Sequence, residues 1–144
     1  MSTPERYRAD EAIRWLASAC GDLLGAEAVL ADQRAPKRNA AYLAQQAAEK
    51  SLRAVLIYAG IRVPRSHRLD RLLDMIPGDW SVHGVEADLL DLSAYSTSAR
   101  YPDAGDYVSP DEARSGVDDA RAIHEAVKVD LARRGVEVVT VSCA

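Results

Sequence analysis

RNAAYLAQQAAEKSLRAVLIYAG, residues 38–60, is the stretch on which the fold turns. Ala40, Leu43, Ala47, Leu52, Val55 and Leu56 spread apolar groups over most of the circumference of one helix. A helix with so little polar surface has to be enclosed by others, so the pattern predicts a deeply buried helix from Arg38 to Ala59. Gly60 suits the cap after its last turn. The one polar stripe, Gln46, Glu49, Lys50 and Arg53, repeats at three and four, with Glu49 and Arg53 in the favourable acid-before-base order. On spacing alone it reads as a solvated face supported by an ion pair.

Upstream, Thr3-Pro4-Glu5 reads as a helix start: Thr accepts from an orphan amide, Pro tolerates the first position, and Glu complements the positive dipole end. Ile13, Leu16, Ala17, Cys20, Leu24 and Ala28 then recur on one stripe and carry this helix to about Ala31, where the segment 32–37 with Pro36 ends it. Downstream, Leu69, Leu72, Leu73 and Ile76 describe a short helix stopped by Pro77-Gly78. Val85, Leu89, Leu92 and Ala99 outline a fourth helix from about Val85 to Ala99, which Pro102 prevents from continuing. Ser109-Pro110-Asp111-Glu112 combines an N-cap Ser, a first-position Pro and a third-position acid, the strongest local signal in the chain. The helix it opens carries a seam of Ala113, Val117, Ala120, His124, Val127 and Leu131, fit to pack inside a bundle or against a second subunit, and Gly135 closes it. The tail VEVVTVSCA is strand-like in composition but has no partner strand, which predicts a frayed or dimer-associated extension over 136–144. The expected architecture is all-α: one domain over 1–135, an antiparallel up-and-down bundle of about five helices.

With 144 residues, 48% of them hydrophobic, the chain can furnish one genuine core. Its charges, 28% of residues at a net −4, are mixed in sign, which disfavours disorder and a DNA-coating surface. Cys20 and Cys143 stand far apart in sequence, without the spacing of metal ligands, so neither a metal nor a cofactor is expected, and Cys20 reads as a small buried hydrophobe. There is no secretory signal pattern, and the longest apolar run, Ala54 to Ile61, is far short of a bilayer span, so the expected location is cytoplasmic without membrane contact. Phosphate-loop, HExxH, GxSxG and EF-hand patterns are absent.

What remains is polar residues at helix ends. His67 is flanked by Arg62, Arg65 and Arg68, a cationic corner whose guanidinium and imidazole groups suit phosphate recognition or proton transfer. Arg100, Tyr101 and Asp103, with Tyr95 one turn earlier, would form a phosphate-binding and stacking surface, or else a plain helix C-terminus with tyrosines at the core edge. His124 lies in the apolar seam and reads as a core or interface histidine, and His83 sits in a loop without a sequence partner.

Trp15 and Asp22-Leu23, the run from Ala44 to Leu52 with Gly60, Ser66-His67-Arg68-Leu69, and Ser98-Ala99-Arg100-Tyr101-Pro102-Asp103 together resemble the HEPN domain (higher eukaryotes and prokaryotes nucleotide-binding), from about Tyr7 to Leu131. The resemblance implies a dimerising all-α bundle of prokaryotic type, either a nucleotide binder encoded beside a minimal nucleotidyltransferase, as in a toxin–antitoxin pair, or a metal-independent ribonuclease. Under the first, Arg100 and Tyr101 would contact phosphate and base, His67 would orient the phosphate, and Lys50 with Gln46 would line the helix-two side, with Asp103 and Tyr95 beside them. Under the second, His67 and Arg62 are the catalytic candidates. The ribonuclease members carry Arg four to six residues before His in a late helix. Arg62 and His67 have that spacing but lie in an early loop, and Arg121 and His124 are only three apart. The expectation is therefore a nucleotide-binding homodimer with a nucleotidyltransferase partner rather than an enzyme acting alone, with a ribonuclease or a non-catalytic interaction module as the alternatives.

Overall fold

The computed structural model describes residues 1–98 and 107–143. Among them run five α-helices: α1 (Thr3–Ala31), α2 (Lys37–Tyr58), α3 (Leu69–Asp74), α4 (Leu89–Ser98) and α5 (Pro110–Arg133), with a 3-10 turn at Ser81–Gly84. No strand occurs among these residues. The fold is the all-α bundle that the sequence predicts.

Directions follow from cross-helix bonds. Arg8 near the start of α1 donates through Nε to the Tyr58 carbonyl at the end of α2, at 3.2 Å. At the other end, Lys37 Nζ donates to the carbonyls of Val29, Leu30 and Asp32 at 3.1, 3.3 and 2.9 Å. The cation thus satisfies the orphan acceptors of α1, whose last turn carries no basic residue of its own. So α1 and α2 are antiparallel. The Tyr58 hydroxyl reaches the Arg134 carbonyl just past α5, which sets α5 parallel to α2. The Asp88 amide reaches the Asp119 side chain while Tyr95 packs beside Gly116, so α4 runs against α5. The result is an up-and-down bundle of α1, α2, α4 and α5, with the short α3 packed against α2 and α4.

Burial of α2 matches its sequence: Ala40, Ala41, Ala44, Ala47, Ala48, Ala54, Val55 and Leu56 are fully enclosed. Small side chains let α1 approach closely, and a Cβ on Gly25 would come within 3.3 Å of Leu43 Cδ1. Gly60 takes a left-handed φ of 72°, and the Ile61 and Gly60 amides return to the Leu56 and Ile57 carbonyls at 2.9 and 3.1 Å.

The structure revises several boundaries. The N-cap of α1 is Ser2, not Thr3, because only Ser2 stands three residues before Glu5 for a reciprocal capping box, with bonds of 2.7 and 3.3 Å. The buried stripe of α1 runs through Ala12, Leu16, Ala19, Leu23 and Ala26, while Ala17, Leu24 and Ala28 are exposed. Alanines on every side blur the moment of this helix, and only docking against α2 selects Leu23 over its neighbour. Helix α4 begins at Leu89 rather than Val85, since the Asp88 side chain caps it by accepting from the Asp91 amide at 3.0 Å. The capping box at Ser109–Glu112 stands as expected, with bonds of 3.1 and 3.3 Å. The seam of α5 faces inward.

The tail, expected to be frayed or dimer-associated, packs on its own bundle instead, with Val136, Val138, Val141 and Cys143 buried. Alternation turns Val136 and Val138 inward, a burial term that needs no ladder partner. No helix of the described residues is long and apolar enough to cross a membrane.

Candidate functional site

The polar stripe of α2 is roofed by the segment between Gly60 and Leu69. Glu49, read from spacing as part of a solvated face, is buried at 5% exposure, and Gln45 one turn earlier is fully buried. A carboxylate without water needs donors, and the site supplies them. His67 Nδ1 lies 2.7 Å from Glu49 Oε1, and Gln45 Nε2 donates to the same oxygen at 3.1 Å. Arg53 Nε stands 3.3 Å from Oε2, a charge contact whose N–H is not aimed for a hydrogen bond. Gln45 Nε2 also lies 3.3 Å from the His67 carbonyl, and Arg53 Nη2 3.5 Å from that of Ser66, so α2 holds the loop backbone as well as the imidazole. Beneath, the Arg53 guanidinium lies 5.8 Å from the centre of the Trp15 ring.

His67 sits in the loop, two residues before α3, rather than opening that helix. Its side chain is 53% exposed. A carboxylate only accepts, so Nδ1 is the nitrogen that donates to it, which leaves Nε2 on the outer edge of the ring. Arg62 and Arg65 are exposed nearby in sequence, with no ion pair among the described residues. Arg68 is partly neutralised by Asp70, whose carboxyl it holds below the usual range through its side-chain hydrogen bond. This corner can orient an imidazole and present positive charge to an anion.

Other sequence candidates fall elsewhere. Lys50 forms an ion pair with Asp22 at 2.7 Å and donates to Ser18 at 2.9 Å, so its charge is spent joining α2 to α1. Gln46 bonds to Gln45 at 2.6 Å and extends the network. Arg100, Tyr101 and Asp103 lie outside the described residues. Tyr95 lines a cleft of about 350 Å³ walled by Asp88, Asp91, Asp111, Glu112 and Asp119, a poor neighbourhood for phosphate. Burial, then the Glu112 charge, push its phenol up. On the other flank of residues 99–106, Tyr107 shares a cleft of about 410 Å³ with Arg34, Lys37 and Arg38, although Arg34 is paired with Asp32 and Lys37 caps α1.

The remaining histidines are structural. His83 Nε2 meets the Ile76 carbonyl at 2.8 Å. His124 is 1% exposed, with Nε2 3.3 Å from the Leu16 carbonyl and Nδ1 without a partner among the described residues. Desolvation lowers its pKa. Arg121 turns away to the Glu27 carboxylate and the Cys143 carbonyl, so Arg121 and His124 make no functional pair.

Sequence reasoning missed Glu49, Gln45 and Arg53 as members of the site. Their spacing of four was visible. Burial was not, because the roof over the stripe comes from another segment.

The model of the HEPN domain matches residues 12–130. The chain belongs to the HEPN family. It is similar to a protein of Thermus thermophilus whose solved structure is described as the crystal structure of TT1696, with 27% identity, a TM-score of 0.69, and coverage of 83% of this chain and 97% of that one. Among curated proteins none matches.

Proposed function

We propose that this HEPN protein binds a nucleotide or a similar phosphate ligand, as a homodimer beside a minimal nucleotidyltransferase in a toxin–antitoxin-like pair. The observation that carries the reading is the half-exposed imidazole of His67 held by a buried carboxylate. Fixing one ring and its loop backbone through Glu49, Gln45 and Arg53 of α2 is more than capping α3 requires, and an oriented imidazole close in sequence to Arg62 and Arg65, both unpaired among the described residues, suits a phosphate oxygen. In this reading His67 Nε2 meets the phosphate, Arg62 and Arg65 add charge, and Arg100 with Tyr101 supply phosphate and base contacts. Glu49 acts through His67. Calorimetric titration with ATP and GTP tests it: binding should weaken at least tenfold in His67→Ala and in Arg100→Ala. Absence of heat from the unmodified protein would sink the proposal.

The same dyad favours a second reading, a metal-independent ribonuclease. A Glu-oriented imidazole with an outward-facing Nε2 is the arrangement of a general base, able to take the proton of a ribose 2′-hydroxyl as its oxygen attacks the adjacent phosphorus, the P–O5′ bond breaking and the departing 5′-oxygen taking a proton from water. RNA cleaved in EDTA by the unmodified protein and left intact by His67→Ala would promote this reading over simple binding.

A further inference from the structure

The chain has two cysteines, and the fold brings them together across 123 positions of sequence. Cys20 Sγ donates to the Ser142 carbonyl at 3.0 Å, and Cys143 Sγ to the Cys20 carbonyl at 3.3 Å. Each thiol thus bonds to the backbone that carries, or adjoins, the other. Both residues are 5% exposed. We propose that Cys20 and Cys143 form a thiol–disulfide exchange site, at which a small-molecule disulfide of the glutathione class oxidises the pair to an internal bond tying the C-terminal segment to α1.

The segment is held in a way that lets this happen. Apart from the thiols, its described anchors are three buried valines and one bond from Arg121 Nη1 to the Cys143 carbonyl at 3.2 Å. Its backbone bonds are local: Val136 to Leu131 at 3.0 Å and Val141 to Val138 at 2.9 Å. Glu137, Val139, Thr140 and Ser142, between the buried residues, are exposed. Few contacts therefore oppose lifting this segment from the bundle. While it is docked, burial and then the Cys20 thiol push the Cys143 thiol up to about 12, which leaves it inert. Lifting the segment returns both groups to water and to ordinary reactivity. One thiolate attacks the external disulfide, forming a mixed disulfide and expelling one thiolate of the reagent. The second cysteine, losing its proton to solvent, attacks the protein sulfur and expels the other. Two protein thiols are oxidised and one external disulfide is reduced to two thiols. The fold has already placed the pair together, so closure of the segment favours the internal bond over a lasting adduct.

Full-length protein incubated with excess glutathione disulfide should lose two hydrogens by intact mass. A non-reducing digest should contain one cross-linked pair of peptides, bearing Cys20 and Cys143. The oxidised chain should melt several degrees higher than the reduced one, reversibly with dithiothreitol, because the bond suppresses opening of the segment. Cys143→Ser, which leaves α1 untouched, should show no such gain. An unmodified chain after prolonged incubation in sub-denaturing urea would overturn the proposal. So would stable glutathione adducts or cross-linked dimers in place of the internal bond, or an internal bond that leaves the melting temperature unchanged.

Discussion

Two imidazoles in this molecule show how the same side chain is given opposite tasks. His67 bonds to a buried carboxylate and shows half its surface to water, while His124 bonds to a backbone carbonyl and is sealed between α1 and α5. The first stays open to solvent while its orientation is kept. The second is kept neutral by the cost of burying a charge. A histidine within an apolar pattern is therefore a packing residue here, and the one in the irregular segment, where a neighbouring helix can support it and solvent can reach it, is the functional candidate.

Removing the carboxylate should break this contrast most strongly. Glu49→Ala leaves the buried Gln45 without this acceptor and the partly buried Arg53 without its charge partner, and should cost about 3 kcal/mol in urea unfolding, in the range for breaking a buried pair. A cost near zero would mean that Glu49 is solvated after all. Glu49→Gln should cost less yet still loosen His67, visible as shifted and broadened imidazole resonances by NMR.

The next effect belongs to His124. Its folded pKa lies below its unfolded value, so between the two the unfolded chain binds more protons, and stability rises with pH through that window. Stability should fall as pH drops below about 6.5, by up to about 1.4 kcal/mol per unit. The loss should be smaller in His124→Asn, and equal pH profiles for the two proteins would refute the assignment.

Smaller still, His67→Ala should cost about 1 kcal/mol, the usual worth of one hydrogen bond, with Gln45 remaining as a donor to the carboxylate. Its larger consequence should be in ligand titration. Smallest is Arg68→Ala, which removes an exposed pair with Asp70 and should leave the unfolding midpoint where it is. A marked drop would make Arg68 a structural part of the corner.

Much of the helical frame was legible. The Ser109 capping box, the end of α2 at Gly60 and the inward seam of α5 are local chemistry, written within a few residues of where they act. The stripe of α1 was misjudged because adjacent Leu23 and Leu24 differ only in which one meets α2. The site was half legible: His67 stood out through its cationic neighbours, whereas Glu49 looked like half of a surface ion pair. The resemblance sets Lys50 on the helix-two side of the site, where its ammonium pairs with Asp22 across the helix interface.

By itself, the sequence determined the class of fold, the order of the helices and most of their ends, because periodicity, capping and glycine conformations are set by neighbours along the chain. Only the tertiary structure decided which polar residues lose their water. It put a roof over Glu49, sealed His124 and drew Cys143 onto Cys20, because burial depends on segments distant in sequence arriving at the same place.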